Sequence, residues 1–80
     1  MPTVFRYKGI RFFFFSNEGA GREPPHIHAR GHGNDAKLWL RPFVRFAYCH
    51  GFDSREQNEL LRIVTERRDQ IESTWNEYFS

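Results

Sequence analysis

VFRYKGIRFFFF, residues 4–15, is two aromatic-rich runs joined by Lys8-Gly9. A glycine that accepts positive φ between runs of Phe, Tyr, Val and Ile reads as a two-residue β-hairpin. That turn sets a register: Tyr7 with Ile10, Arg6 with Arg11, Phe5 with Phe12, Val4 with Phe13 and Thr3 with Phe14. Because side chains alternate across a strand, one face of the hairpin is apolar and the other mixes arginine with aromatics. The chain therefore opens as an antiparallel sheet with a face to bury. Four consecutive phenylalanines, Phe12 to Phe15, cannot all point one way, so at least two are expected to escape a core on one side. Such a pair would form a contact for a protein partner or a second copy, unless the following loop folds back over it.

Outward from the hairpin the same grammar continues. SNEGAGREPP, residues 16–25, reads as a loop whose Pro24-Pro25 step leaves it extended. HIHARG is expected as the third strand, DAKLWLRP as the fourth after a Gly33-Asn34 turn, and FVRFAYCH as the fifth after Pro42. From residue 53 the period changes. Asp53 or Ser54 with Glu56 or Gln57 three residues on forms a capping-box signature. Leu60, Val64, Ile71, Trp75 and Tyr78 or Phe79 then recur along one helical side. The polar run Thr65-Glu66-Arg67-Arg68-Asp69 leaves room for one long helix or two shorter ones. The expected fold is α+β, one domain over residues 1–80, with about five antiparallel strands within 3–50 and a helical region 53–79 on one face of the sheet.

Composition bounds the function classes. Eighty residues bury about 60–65% of the unfolded surface, and nine Phe, three Tyr and two Trp supply a core that needs no disulfide or structural metal. A lone cysteine, Cys49, and an opening MPTVFRYKG without an apolar signal run point to the cytoplasm. No stretch has the length of a membrane span. The net charge of +2 and pI near 9.0 permit a nucleic-acid partner without requiring one.

The chemistry gathers at REPPHIHARGHG, residues 22–33. On a strand, His26, His28, Arg30 and His32 would point outward and Ile27 and Ala29 inward. By the same alternation Lys37, Trp39, Arg41 and Arg45 face outward, whereas Leu38, Leu40, Val44, Phe46 and Tyr48 face inward. The outer face then collects cations with interleaved Phe13, Phe15 and Trp39, the combination that binds phosphates and unstacked bases. A solvated sheet face needs polar residues for solubility alone, so the pattern by itself also fits an idle surface. Three roles fit the histidines. His26 and His28 could be general base and acid in RNA phosphodiester cleavage, with Arg30 or Lys37 stabilising the phosphorane. They could bind zinc or another divalent metal, with His32 or Glu23 as third ligand. Or His26, held by Pro24-Pro25, could donate to a backbone carbonyl. His50 beside Cys49 does not make a thiol nucleophile, because strand neighbours face opposite sides.

EPPHIHA, AKLWL, AYCHGF and TWNEYF together resemble a small bacterial domain-of-unknown-function family, whose hallmark is a Glu-Pro-Pro-His-Ile-His motif followed by Ala-Lys-x-Trp-Leu and a Trp-x-Glu-Tyr-Phe ending. The resemblance spans nearly the whole chain. It implies the toxin of a type II toxin–antitoxin pair, growth-inhibiting and held inactive by a cognate antitoxin protein encoded nearby. By matching position the motif residues are Glu23, Pro24, Pro25, His26, His28, Lys37 and Trp39. The first helical turn departs from the family pattern, with Ser54 and Gln57 where proline and leucine are expected. The resemblance supplies no catalytic mechanism. The reading is thus a toxin with an RNA-directed, ribonuclease-like activity, catalytic at His26 and His28 and binding through Glu23, Arg30, His32, Lys37, Trp39 and Arg41. A non-enzymatic nucleic-acid- or protein-binding regulator is the alternative, and a homodimer is a further expectation.

Overall fold

A computed structural model describes residues 3–16 and 23–79. Five strands, β1 (Thr3–Tyr7), β2 (Ile10–Phe13), β3 (His26–Gly31), β4 (Asn34–Trp39) and β5 (Arg45–His50), form one antiparallel sheet in sequential order. Two helices, α1 (Ser54–Glu66) and α2 (Arg68–Tyr78), follow and cover its inner face. The α+β fold expected from the sequence is the fold observed. Residues 17–22 of the expected loop lie outside the described residues.

Both tight turns have positive φ at both central residues: 50° and 79° at Lys8-Gly9, 55° and 79° at His32-Gly33. That is the hairpin geometry whose twist matches the flanking strands. The β3–β4 turn is therefore His32-Gly33, closed by Gly31 opposite Asn34, not the expected Gly33-Asn34. Glycine takes the second central position, and histidine tolerates the left-handed conformation at the first. The correction moves His32 off the strand face. Its Nε2 donates to the Lys8 carbonyl at 3.2 Å and ties the two turns together.

The hairpin pairs Tyr7, Arg6 and Phe5 with Ile10, Arg11 and Phe12 as expected, but Thr3 meets Phe13, leaving Val4 as a bulge residue. A second bulge falls at Ala47, since Lys37 pairs with Tyr48 and Leu38 with Phe46. Phe46 and Val44 face the core as expected, whereas Tyr48 is shifted to the outer face and Cys49 turns inward. One extra residue inverts every side chain beyond it.

The core joins Ile10, Phe12, Phe14, Ile27, Ala29, Ala36, Leu38 and Leu40 to Phe52, Leu60, Ile63, Val64, Ile71 and Trp75. Each large member stabilises the fold by about 1.5–3 kcal/mol on burial. Asp53 caps α1: its carboxylate accepts from the Glu56 N–H at 2.8 Å while Glu56 accepts from the Asp53 N–H at 3.0 Å. Gln57, at a position departing from the family pattern, donates to the Phe52 carbonyl at 2.8 Å, so the turn is satisfied. The helical region is two helices, parting at Arg67, whose φ of −102° and ψ of 12° lie off the helical basin. Its guanidinium sits 4.5 Å from the Phe5 ring, which stacks on Phe12 at 4.3 Å. The break thus coincides with a clamp on the hairpin.

Phe13 and Phe15 lie outside the helix-covered core, as alternation requires, but they are not left open: Phe12, Phe13 and Phe14 are all buried and Phe15 is half-buried. Phe14 packs on Trp75 from the inner side. Phe13 is covered on the outer side by its own neighbours: Arg11 and Arg30 lie 4.3 and 5.3 Å from its ring centre, Phe15 5.2 Å and His28 5.5 Å. Among the described residues the exposed large apolar side chains are instead Phe43 and Tyr78.

Candidate nucleic-acid interface

The outer face of the sheet is built in cross-strand rows. Arg6, Arg11, Arg30, Asp35 and His50 are successive partners from β1 to β5. The next row holds Phe13, His28, Lys37 and Tyr48, and the third His26, Trp39 and Arg45. Alternation therefore gathers Arg30, Lys37 and Trp39 as the sequence implied, and adds Arg11 and Tyr48. Two expected members go elsewhere. His32 sits in the turn, and Arg41, beyond the end of β4, reaches α2, where Nε and Nη2 donate to the two Glu72 carboxylate oxygens at 2.6 Å each. That fork holds the Glu72 carboxyl below the usual carboxylate range and raises the Arg41 guanidinium pKa further.

His26 and His28 lie on this face but not in solvent, being 0% and 3% exposed. Their ring centres are 5.4 Å apart. The His26 ring packs against Trp39 at 5.4 Å and Trp75 at 4.9 Å, and its Nδ1–H donates to the Pro24 carbonyl at 2.9 Å. The carbonyl bond expected from the rigid Pro24-Pro25 step is present. His28 lies between Phe13 and Phe15, at 5.5 and 4.5 Å. Polar groups survive burial when hydrogen-bonded, as His26 is through Nδ1, and both rings pack against aromatic neighbours at the sheet's end.

The cations of the face are ordered by rings and partly by carboxylates. Lys37 stands 4.5 Å from the Trp39 ring and donates to Glu23 at 2.7 Å. Arg30 reaches over Phe13 and Phe15 at 5.3 and 5.8 Å, with Asp35 at 3.5 Å. Arg45 donates to the Arg41 and Phe43 carbonyls at 2.6 and 3.3 Å, which orders the turn without neutralising the charge. For a metal the geometry is unfavourable: Glu23 is engaged by Lys37, His32 is in the turn, and among the described residues no group of three or more His, Cys, Asp or Glu side chains gathers. Among the described residues no pocket is enclosed.

Residues 9–76 match the family model described as Domain of unknown function (DUF4160). The chain belongs to this family. No curated protein and no solved structure matches it. Within the DUF4160 span fall the His26–His28 strand, Lys37, Trp39 and the core tryptophan Trp75, whereas β1 with Arg6 precedes it. The family description carries no activity, so the chemistry rests on the residues themselves. Arg6, Arg11 and Tyr48 are among the face residues that sequence reasoning did not name as a site. The hairpin register already set Arg6 opposite Arg11, but the pairing of β2 with β3 depends on a long connection whose length fixes no register. Tyr48 was hidden by the bulge at Ala47. No helix among the described residues is long and apolar enough to cross a membrane.

Proposed function

We propose that this DUF4160 chain is the toxin component of a bacterial toxin–antitoxin pair, acting in the cytoplasm by holding RNA against the outer face of its sheet. The observation that carries the RNA reading is the placement of Arg11, Arg30 and Lys37 over Phe13, Phe15 and Trp39 on one open surface. Phosphates would be met by the cations and bases by the half-buried rings of Phe15, Trp39 and Tyr48, while buried Phe13 holds the arginines in place. The toxin reading comes from the family resemblance in the Glu-Pro-Pro-His-Ile-His segment and the Trp75–Phe79 ending. A cognate antitoxin encoded nearby would mask the same cationic face.

In this account His26 and His28 shape the face rather than act on RNA, since neither ring is open to a phosphodiester. The 5.4 Å separation of the two imidazoles favours a second reading, acid–base cleavage after displacement of Phe15. Induced expression in a bacterial host separates the two. Wild type should arrest growth without RNA fragments. Lys37→Gln/Arg45→Gln should relieve the arrest, and His26→Phe/His28→Phe, which keeps ring packing, should not. Arrest accompanied by RNA fragments, both lost in the histidine variant, would establish cleavage instead. A wild-type chain that leaves growth unaffected would overturn the toxin reading.

A further inference from the structure

We propose that Arg6, Arg11 and Arg30 form a rail that carries the phosphodiester backbone of single-stranded RNA across β1, β2 and β3. The proposal rests on the RNA-binding reading of the same face and names the part that takes the phosphates. Arg6 is directly opposite Arg11, and Arg11 directly opposite Arg30. With strands about 4.8 Å apart, the rail runs about 10 Å across the sheet. Like charges directly opposed destabilise a sheet, and here the juxtaposition occurs twice in succession. A polyanion laid along the row would relieve that repulsion.

The surroundings point the same way. Elsewhere Lys8, Arg41 and Arg62 each have a carboxylate at 2.6–3.0 Å. Among the described residues Arg6 and Arg11 make no ion pair, and the row's one carboxylate, Asp35, is beyond Arg30 at 3.5 Å. The Arg11 Nε is shielded from solvent without a hydrogen-bond partner. The Arg11 and Arg30 guanidiniums share the Phe13 ring at 4.3 and 5.3 Å, which fixes two planar forks side by side before any ligand arrives. Such forks suit phosphate oxygens. Half-buried Tyr48 and Trp39 lie one and two rows on, on the side where the bases of a strand held along the rail would extend. That adjacency of rings favours a nucleic acid over an acidic protein segment.

The test is fluorescence anisotropy of a labelled oligouridylate against the full chain over a series of salt concentrations. Each single-strand phosphate contact contributes about 0.7 to the slope of log affinity on log salt. The slope should therefore fall by about 2 in Arg6→Gln/Arg11→Gln/Arg30→Gln, and by about 1.4 in Arg6→Gln/Arg30→Gln, a pair of exposed positions that serves if the Arg11 change prevents folding. Arg6→Gln alone should raise the thermal midpoint while weakening binding, because it relieves repulsion and removes a contact. If wild type binds, the rail variants bind unchanged and Lys37→Gln/Arg45→Gln binds less, the rail is wrong and the RNA face stands. If wild type does not bind oligouridylate, or binds polyglutamate of equal charge as tightly, the RNA assignment itself is overturned.

Discussion

Replacing His26 by alanine should destabilise the fold by about 3–4 kcal/mol, and the structure gives the parts of that figure. The ring is wholly buried and touches His28, Trp39 and Trp75 at centre distances of 5.4, 5.4 and 4.9 Å. Truncating a large buried aromatic leaves a cavity worth about 3–5 kcal/mol, and the smaller imidazole scales this to about 2–3. The lost Nδ1–H bond to the Pro24 carbonyl adds about 1 kcal/mol; the Pro24 side is exposed, so its carbonyl can turn to water. Domains have about 5–15 kcal/mol in total, and an 80-residue chain sits low in that range. His26→Phe keeps the ring contacts and forfeits the hydrogen bond, so it should cost about 1 kcal/mol. Urea unfolding followed by tryptophan fluorescence measures both, with unchanged slopes required for a two-state comparison. A loss below about 1 kcal/mol in His26→Ala would refute the structural role of the ring. The prediction bears on function directly: if the proposed growth arrest occurs, its loss in His26→Ala reports unfolding as readily as chemistry, and only a packed replacement tells them apart.

Gly31→Ala should cost about 1–3 kcal/mol in the same assay, because a Cβ there would lie 2.8 Å from the Gly9 carbonyl oxygen and 3.0 Å from the Ile10 Cα, both backbone. Asp53→Ala should lose about 1 kcal/mol with the α1 cap. Glu72 is held below its unfolded pKa of about 4.3 first by the Arg41 hydrogen bonds, so its contribution is present above that pH and fades as pH falls through the lower folded value. Arg41→Gln should flatten that part of an unfolding-midpoint-against-pH curve; an unchanged curve would mean the ion pair adds nothing. Burial pushes the Cys49 thiol up, so alkylation at neutral pH should be slow in the native chain and speed up in urea.

Where local rules suffice, the sequence is legible. Lys8-Gly9 announces its hairpin, Asp53 and Glu56 announce the helix start, and the Leu60 to Trp75 stripe names the face that covers the sheet. Two of the failures share a physical cause, a single residue of register. Asn34 looks as good a turn residue as His32, and moving the turn by one position takes His32 out of the candidate site. Nothing in FVRFAYCH marks Ala47 as a bulge, and that extra residue delivers Tyr48 to the outer face. The burial of His26 and His28 is harder still, since alternation places them outward correctly while the rings that shield them, Phe15, Trp39 and Trp75, come from three separate segments. Arg41 illustrates the converse: a cation beside the face by sequence is claimed by Glu72 from a helix no strand pattern predicts. The arginine row needed the β2–β3 pairing, a long-range fact.

The most direct measurement is a ¹⁵N–¹H correlation spectrum of the labelled chain titrated with a short single-stranded RNA. The account predicts that the largest shifts fall along Arg6, Arg11, Arg30, Lys37, Trp39 and Tyr48, with the exposed sides of α1 and α2 unmoved. Shifts confined to the helices, or an unchanged spectrum at saturating RNA, would contradict the claim that the outer face of the sheet is where this protein works.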